Sequence, residues 1–149
     1  MQLTKGSEYA LRGLAVLASR PAGEAVPLAD IAATESIPAA FLAKVFQELV
    51  RHGVLVATPG PGNGYALARP AAEISVRQIL EAVEGPNLCR HCLLWRGRRA
   101  VRGPCLLHDH LNDVLSALTA RIERVSLADC AATSKPVVLR TAIASGASA

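Results

Sequence analysis

The sequence predicts a mostly α fold with a small β-hairpin, and three observations predict it. Apolar residues recur at helical spacing over Ser7–Ser19 and again over Ala39–His52. After Gly53 that period gives way to two short runs, Val54–Thr58 and Tyr65–Ala68, either side of the turn-forming stretch Pro59-Gly60-Pro61-Gly62-Asn63-Gly64. A heptad-like seam from Leu107 to Val125 then describes one long helix near the C-terminus. Helix, short helix, turn, helix, hairpin is the order of a winged helix-turn-helix, here followed by a long C-terminal dimerisation helix.

Each element has its own signals. In Ser7–Ser19 the residues Tyr9, Leu11, Leu14, Val16, Leu17 and Ala18 are interrupted only by the charges of Glu8 and Arg12. Pro21, Gly23 and Pro27 punctuate the exit, and Pro27 opens a short helix through Thr34 with Leu28 and Ile31 inward. Glu35-Ser36-Ile37-Pro38 is a tight connection. Beyond it Leu42, Val45, Phe46, Leu49 and Val50 share one helical face, Lys44, Gln47, Glu48 and Arg51 fall outside it, and Gly53 supplies the stop. Ile74–Val83 is a further amphipathic helix ending at Glu84-Gly85-Pro86. From Cys105 the apolar positions Leu107, Leu111, Val114, Leu118, Ile122 and Val125 form the seam. Because residues 1–85 already close a small domain, this helix is expected to pair with a second copy of itself. The expected organisation is a DNA-binding domain over 1–85, a cysteine- and arginine-rich loop over 86–104, a dimerisation helix over 105–130 and a tail over 131–149.

Composition narrows the function. The chain has 149 residues and is 51% hydrophobic, enough to bury an ordinary core, while 3% aromatic content argues against base-stacking platforms. No apolar run approaches a membrane span and no secretory pattern opens the chain, so the cytoplasm is the expected compartment and no membrane partner is expected. In that reducing setting the four cysteines read as metal ligands or reactive thiols before disulfides. The net charge of +4 permits nucleic-acid binding without demanding it. Residues 1–70 carry six basic and five acidic side chains, whereas Arg90, Arg96, Arg98, Arg99 and Arg102 stand between Pro86 and Arg102 with no acid among them. Something anionic is expected there. The Gly60–Gly64 run lacks a phosphate-loop pattern, and Cys89-x2-Cys92 lacks the βαβ setting of a thiol oxidoreductase, so no enzyme is expected.

Cys89-x2-Cys92-x12-Cys105-x2-His108 is the constellation that carries chemistry. Thiolates are soft anionic ligands suited to an iron–sulfur cluster or to zinc, and the surrounding arginines stabilise negative charge. A thiol or disulfide switch is a third reading of the same residues. Cys130 stands apart and reads as a small apolar residue near a helix end.

Several fragments, weak singly and specific in this order, carry a resemblance: Met1-Gln2-Leu3-Thr4 with Tyr9-Ala10, Leu28-Ala29-Asp30-Ile31-Ala32, Ile37-Pro38 leading to Phe41-Leu42-Ala43-Lys44-Val45, Gly62-Asn63-Gly64-Tyr65-Ala66-Leu67-Ala68-Arg69, Ile79-Leu80-Glu81-Ala82-Val83-Glu84-Gly85, and Ser126-Leu127-Ala128-Asp129. The chain resembles the Rrf-type transcriptional regulators, the group that includes IscR, NsrR and RirA. The resemblance implies a homodimeric winged-helix repressor or activator, many of whose relatives sense through an iron–sulfur cluster, with [2Fe–2S] favoured over [4Fe–4S] here and zinc the alternative. It implies Cys92 and Cys105 as ligands first and Cys89 third, because the family's usual central cysteine is absent from Arg96–Arg102. For the fourth place His108 matches IscR-like members, ahead of Glu8, which matches an acidic ligand given by the partner subunit in NsrR-like members.

The residues also read as a DNA binder on their own. A recognition helix places its N-terminal end in the major groove, and here that end is Pro38-Ala39-Ala40-Phe41, followed by Lys44 and Gln47. Ala39 and Ala40 suit thymine-methyl contact or little base contact at all. Lys44 suits a phosphate or a guanine edge, and Gln47 suits adenine or a solvated face. Phosphate contacts are expected from Lys5, Arg12, Lys44, Arg51 and Arg69. In the family an Arg-Gly pair precedes the wing glycines; here the aligned pair is Pro59-Gly60, which leaves Asn63 as a wing candidate or a turn residue. The expected partner is double-stranded DNA with an inverted-repeat operator, since a two-fold dimer presents two recognition helices.

Overall fold

Thr4 stands in an extended conformation and its hydroxyl accepts from the Gly6 amide, which starts α1 (Lys5–Ala18) two residues earlier than the apolar pattern suggests. The computed structural model describes residues 4–60, 63–86 and 106–133, the last including 106–112 as backbone only. Cys89, Cys92 and Cys105, the arginine run and the tail beyond 133 lie outside the described residues, as do the side chains of Leu107, His108 and Leu111.

Two further helices make the helix-turn-helix. α2 (Leu28–Glu35) begins after Pro27, and Ser36 adopts the left-handed conformation with φ 54°. The Ile37 amide then donates back to the Ala32 carbonyl at 2.9 Å, and Pro38 starts α3 (Ala39–Arg51). The four buried side chains of α3, Leu42, Val45, Phe46 and Leu49, point into the core between α1 and the hairpin. Gly13 of α1 faces the Phe46 ring so closely that an added Cβ would lie 2.9 Å from it. Phe46 in turn meets the Tyr65 ring edge-on at 5.1 Å.

β1 (Leu55–Thr58) and β2 (Gly64–Leu67) pair antiparallel, Leu55 opposite Leu67 and Thr58 opposite Gly64, and form the wing. Val26, from the connection between α1 and α2, bridges to Tyr65 and anchors the hairpin to the helices. A short 3-10 turn (Ala71–Glu73) leads to α4 (Val76–Glu84), whose start is fixed by a reciprocal cap: the Ser75 hydroxyl accepts from the Gln78 amide, and the Gln78 side chain accepts from the Ser75 amide.

The expected single helix over 105–130 is divided. α5 (Leu106–Arg124) stops, and α6 (Leu127–Thr133) begins a new direction. The reason lies in Ser126, whose hydroxyl accepts from the Asp129 amide at 3.1 Å while the Asp129 carboxylate accepts from the Ser126 amide and hydroxyl. Ser126 also bridges Ser75, with Val76 donating to the Val125 carbonyl and Leu127 to that of Ile74. Leu127 is fully buried in the core, and α6 packs on α1. The C-terminal end of the expected dimerisation helix thus packs into the winged domain.

Candidate nucleic-acid interface

α3 buries one face and presents the other. Ala40, Lys44, Gln47 and Arg51 recur at steps of four, three and four, all exposed, on the side away from the core. The first turn carries Ala39, Ala40 and Phe41, all exposed, with no acidic side chain and no side-chain cap. A negatively charged duplex meets no repulsion there, and the positive end of the helix dipole faces it.

The cations differ in their freedom. Lys44 and Arg69 are exposed and have no ion-pair partner among the described residues. Arg51 is exposed but forked onto Glu48 at 2.9 and 3.0 Å. Lys5 sits 2.7 Å from Glu8. Arg12 is the most committed: its Nε donates to the Glu35 carboxylate at 3.0 Å, its Nη2 to the Glu35 carbonyl, and its Nη1 to Glu8 at 3.3 Å. This guanidinium fastens α1 to the residue before the left-handed Ser36, so its first task is to hold the helix-turn-helix turn in place.

The wing contributes shape more than charge. Residues 55–68 contain no charged side chain. Asn63 is exposed, and its amide donates to the Gly60 carbonyl at 2.8 Å, closing the loop. Between the wing and the helices runs an open groove of about 750 Å³ whose walls include Leu28, Ala39, Thr58, Pro59 and Asn63. Wing, α2 and α3 therefore share one surface, and its fixed charges come from the helices.

Glu8 is exposed in the first turn of α1. Its carboxyl lies below the ordinary value, chiefly through the hydrogen bond from Lys5, with Arg12 adding to it. It is a charged, acceptor-only oxygen group, but both oxygens already face cations. Cys130 is half-buried, and burial, with Asp129 beside it, pushes its thiol up. Among the described residues no three metal-ligating side chains converge. No sequence pattern marks the contact joining Glu84 to Thr4 and Ser7, which ties the end of α4 to the start of α1.

The Rrf2 family, described as iron-dependent transcriptional regulators, matches residues 3–133. The chain belongs to the Rrf2 family. Its relatives include the HTH-type transcriptional regulator IscR of Photorhabdus laumondii, 31% identical over 129 residues that span 85% of this chain and 77% of that one. IscR of Cronobacter sakazakii is 29% identical over 131 residues, 87% of this chain and 79% of the relative. Among solved structures, CymR, the global cysteine regulator of B. subtilis, has a TM-score of 0.73 at 18% identity, covering 89% of this chain and 98% of its own. T. potens IscR has a TM-score of 0.68 at 18% identity, covering 87% and 85%. Both structures share the winged-helix fold with the present chain. This Rrf2 member is therefore a DNA-binding transcriptional regulator and not an enzyme. Among its described residues no helix is long and apolar enough to cross a membrane.

Proposed function

We propose that this Rrf2 protein is a homodimeric, sequence-specific regulator that binds an inverted-repeat operator and responds to redox, nitric oxide or iron status through an iron–sulfur cluster. The observation that carries the DNA half is the α3 stripe, where Lys44 has no ion-pair partner among the described residues and Gln47 is exposed on the second helix of a helix-turn-helix. Lys44 and Arg69 supply phosphate contacts, and Lys5, Arg12 and Arg51 share their charge with Glu8, Glu35 or Glu48, which weakens their part.

The cofactor half rests on the donor set and on a family described as iron-dependent. Cys92 and Cys105, then Cys89, would hold the group, with His108 ahead of Glu8 for the fourth place. These donors fit: three thiols and an imidazole suit iron–sulfur ligation, and Glu8 is kept ionised. Both Glu8 oxygens already face cations, Lys5 on one and Arg12 on the other, so ligation there competes with an ion pair, which favours His108. When bound, such a group supplies a reversible chemical signal, its loss or oxidation.

The test is anaerobic purification followed by a visible absorption spectrum and analysis for iron, sulfide and zinc. Coloured protein with iron and sulfide is expected. Cys92→Ala or Cys105→Ala should remove the colour and Cys89→Ala reduce it. Whichever of His108→Ala and Glu8→Ala alters the spectrum identifies the fourth ligand. Zinc is d10 and colourless, so colourless protein with stoichiometric zinc would overturn the cluster and leave the DNA function standing.

A further inference from the structure

Phe41 is the one phenylalanine or tyrosine among the described residues that is exposed, at 43%. It stands in the first turn of α3 beside Ala39 and Ala40 and one turn before Lys44. The side chains of 39–41 carry no hydrogen-bonding group, so this end of the recognition helix cannot read the donor and acceptor pattern of base edges. The Phe41 ring is not left loose: the Tyr9 ring of α1 meets it edge-on, centroids 5.4 Å apart at 87°. Such a pairing restrains the ring before any ligand arrives. In the major groove the apolar feature that distinguishes one base is the thymine 5-methyl group, which alanine and phenylalanine side chains contact.

We propose that Phe41, with Ala40 beside it, reads thymine methyl groups in each half-site, and that Tyr9 is a positioning residue for the Phe41 ring. This rests on the DNA-binding reading of α3 given above. It makes sequence preference at the helix tip a matter of methyl burial, with Lys44 supplying charge one turn on.

The test begins with wild-type protein enriching duplexes from a random-sequence pool. The preferred duplex is remade with deoxyuridine replacing thymidine at each position in turn, in both half-sites. Uracil keeps the pairing edge and removes only the methyl. At the positions Phe41 reads, affinity should fall about fourfold per methyl and about fifteenfold for the symmetric pair. Phe41→Ala should bind the two duplexes equally, Phe41→Leu should retain part of the ratio, and Tyr9→Leu should shrink it without abolishing binding. Lys44→Ala should weaken both duplexes alike and leave the ratio unchanged. Enrichment of a defined sequence that is insensitive to uracil at every position would overturn this proposal alone, as would Phe41→Ala keeping the full ratio. Enrichment of no sequence would overturn the regulator reading and the proposal with it.

Discussion

Glu84 shows how much one carboxylate can organise. Its Oε1 accepts from the Thr4 amide at 3.1 Å, from the Thr4 hydroxyl and from the hydroxyl of the fully buried Ser7, placing negative charge at the N-terminus of α1. Partial burial pushes its carboxyl up, but the hydrogen bonds from Ser7 and Thr4 outweigh that and hold it below the ordinary 4.5. The native value therefore lies below the unfolded one. The ionised group adds stability above the unfolded value, and that share is lost as pH falls through the native value. Glu84→Gln should melt below wild type at neutral pH, with the gap narrowing as the pH is taken down through the carboxylate range. Ser7→Ala should cost about 1–2 kcal/mol at neutral pH. Thermal melts across pH check both, and a Glu84→Gln deficit that stays constant into acid would contradict the account. None of this was legible in the sequence. Ser7 and Glu84 are separated by 77 positions, and a single tertiary hydrogen bond leaves no periodic trace.

At the scale of elements, the wing depends on a close approach that composition does not reveal. The run from Pro59 to Gly64 announces a turn, yet it does not reveal that Gly64 lies against backbone: an added Cβ there would lie 2.5 Å from the Val26 carbonyl oxygen. That approach permits the pair of hydrogen bonds between Val26 and Tyr65, 3.0 and 2.9 Å, which fasten β2 to the connection between α1 and α2. Gly64→Ala should push β2 away and cost about 2–4 kcal/mol in denaturant unfolding, from overpacking and lost hydrogen bonds together. An unchanged midpoint would show that the wing is held to the helices some other way. The order of helices and hairpin was readable because the helical period ends at Gly53 and gives way to two short runs either side of turn-forming residues. The break between α5 and α6 was also written in the sequence, as Ser126-x-x-Asp129, a capping signature. The heptad spacing up to Val125 masked it, because a run of apolar steps fits a continuous helix until tertiary burial of Leu127 turns the chain.

At the scale of the molecule, the decisive feature is how α5 is held. Its C-terminal end is fastened to its own domain three times: by the Arg77–Glu123 ion pair at 3.0 Å, by the Val76–Val125 hydrogen bond, and by α6 packed on α1. Nearer its middle the helix offers apolar side chains to water. Val114 is 65% exposed, Leu118 and Ile122 are half-buried, and Val125 is 39% exposed. These four belong to the seam that the sequence spacing marks. A second copy would cover them, and burying Val114 and Leu118 on both sides would contribute roughly 1.5–3 kcal/mol per side chain. The double substitution Val114→Glu/Leu118→Glu should therefore give monomers in sedimentation. The winged domain should stay folded, because its buried core includes neither residue. A dimer mass unchanged by the substitution would remove α5 from the interface. If the monomer forms, its DNA binding discriminates further: one recognition helix reads one half-site, so affinity for a full inverted repeat should fall to that for a single half-site. The three fastenings set the consequence for regulation. Because α5 is fastened to α4 and, through α6, to α1, the dimer proposed above would couple any change in packing along α5 to the relative setting of its two α3 helices.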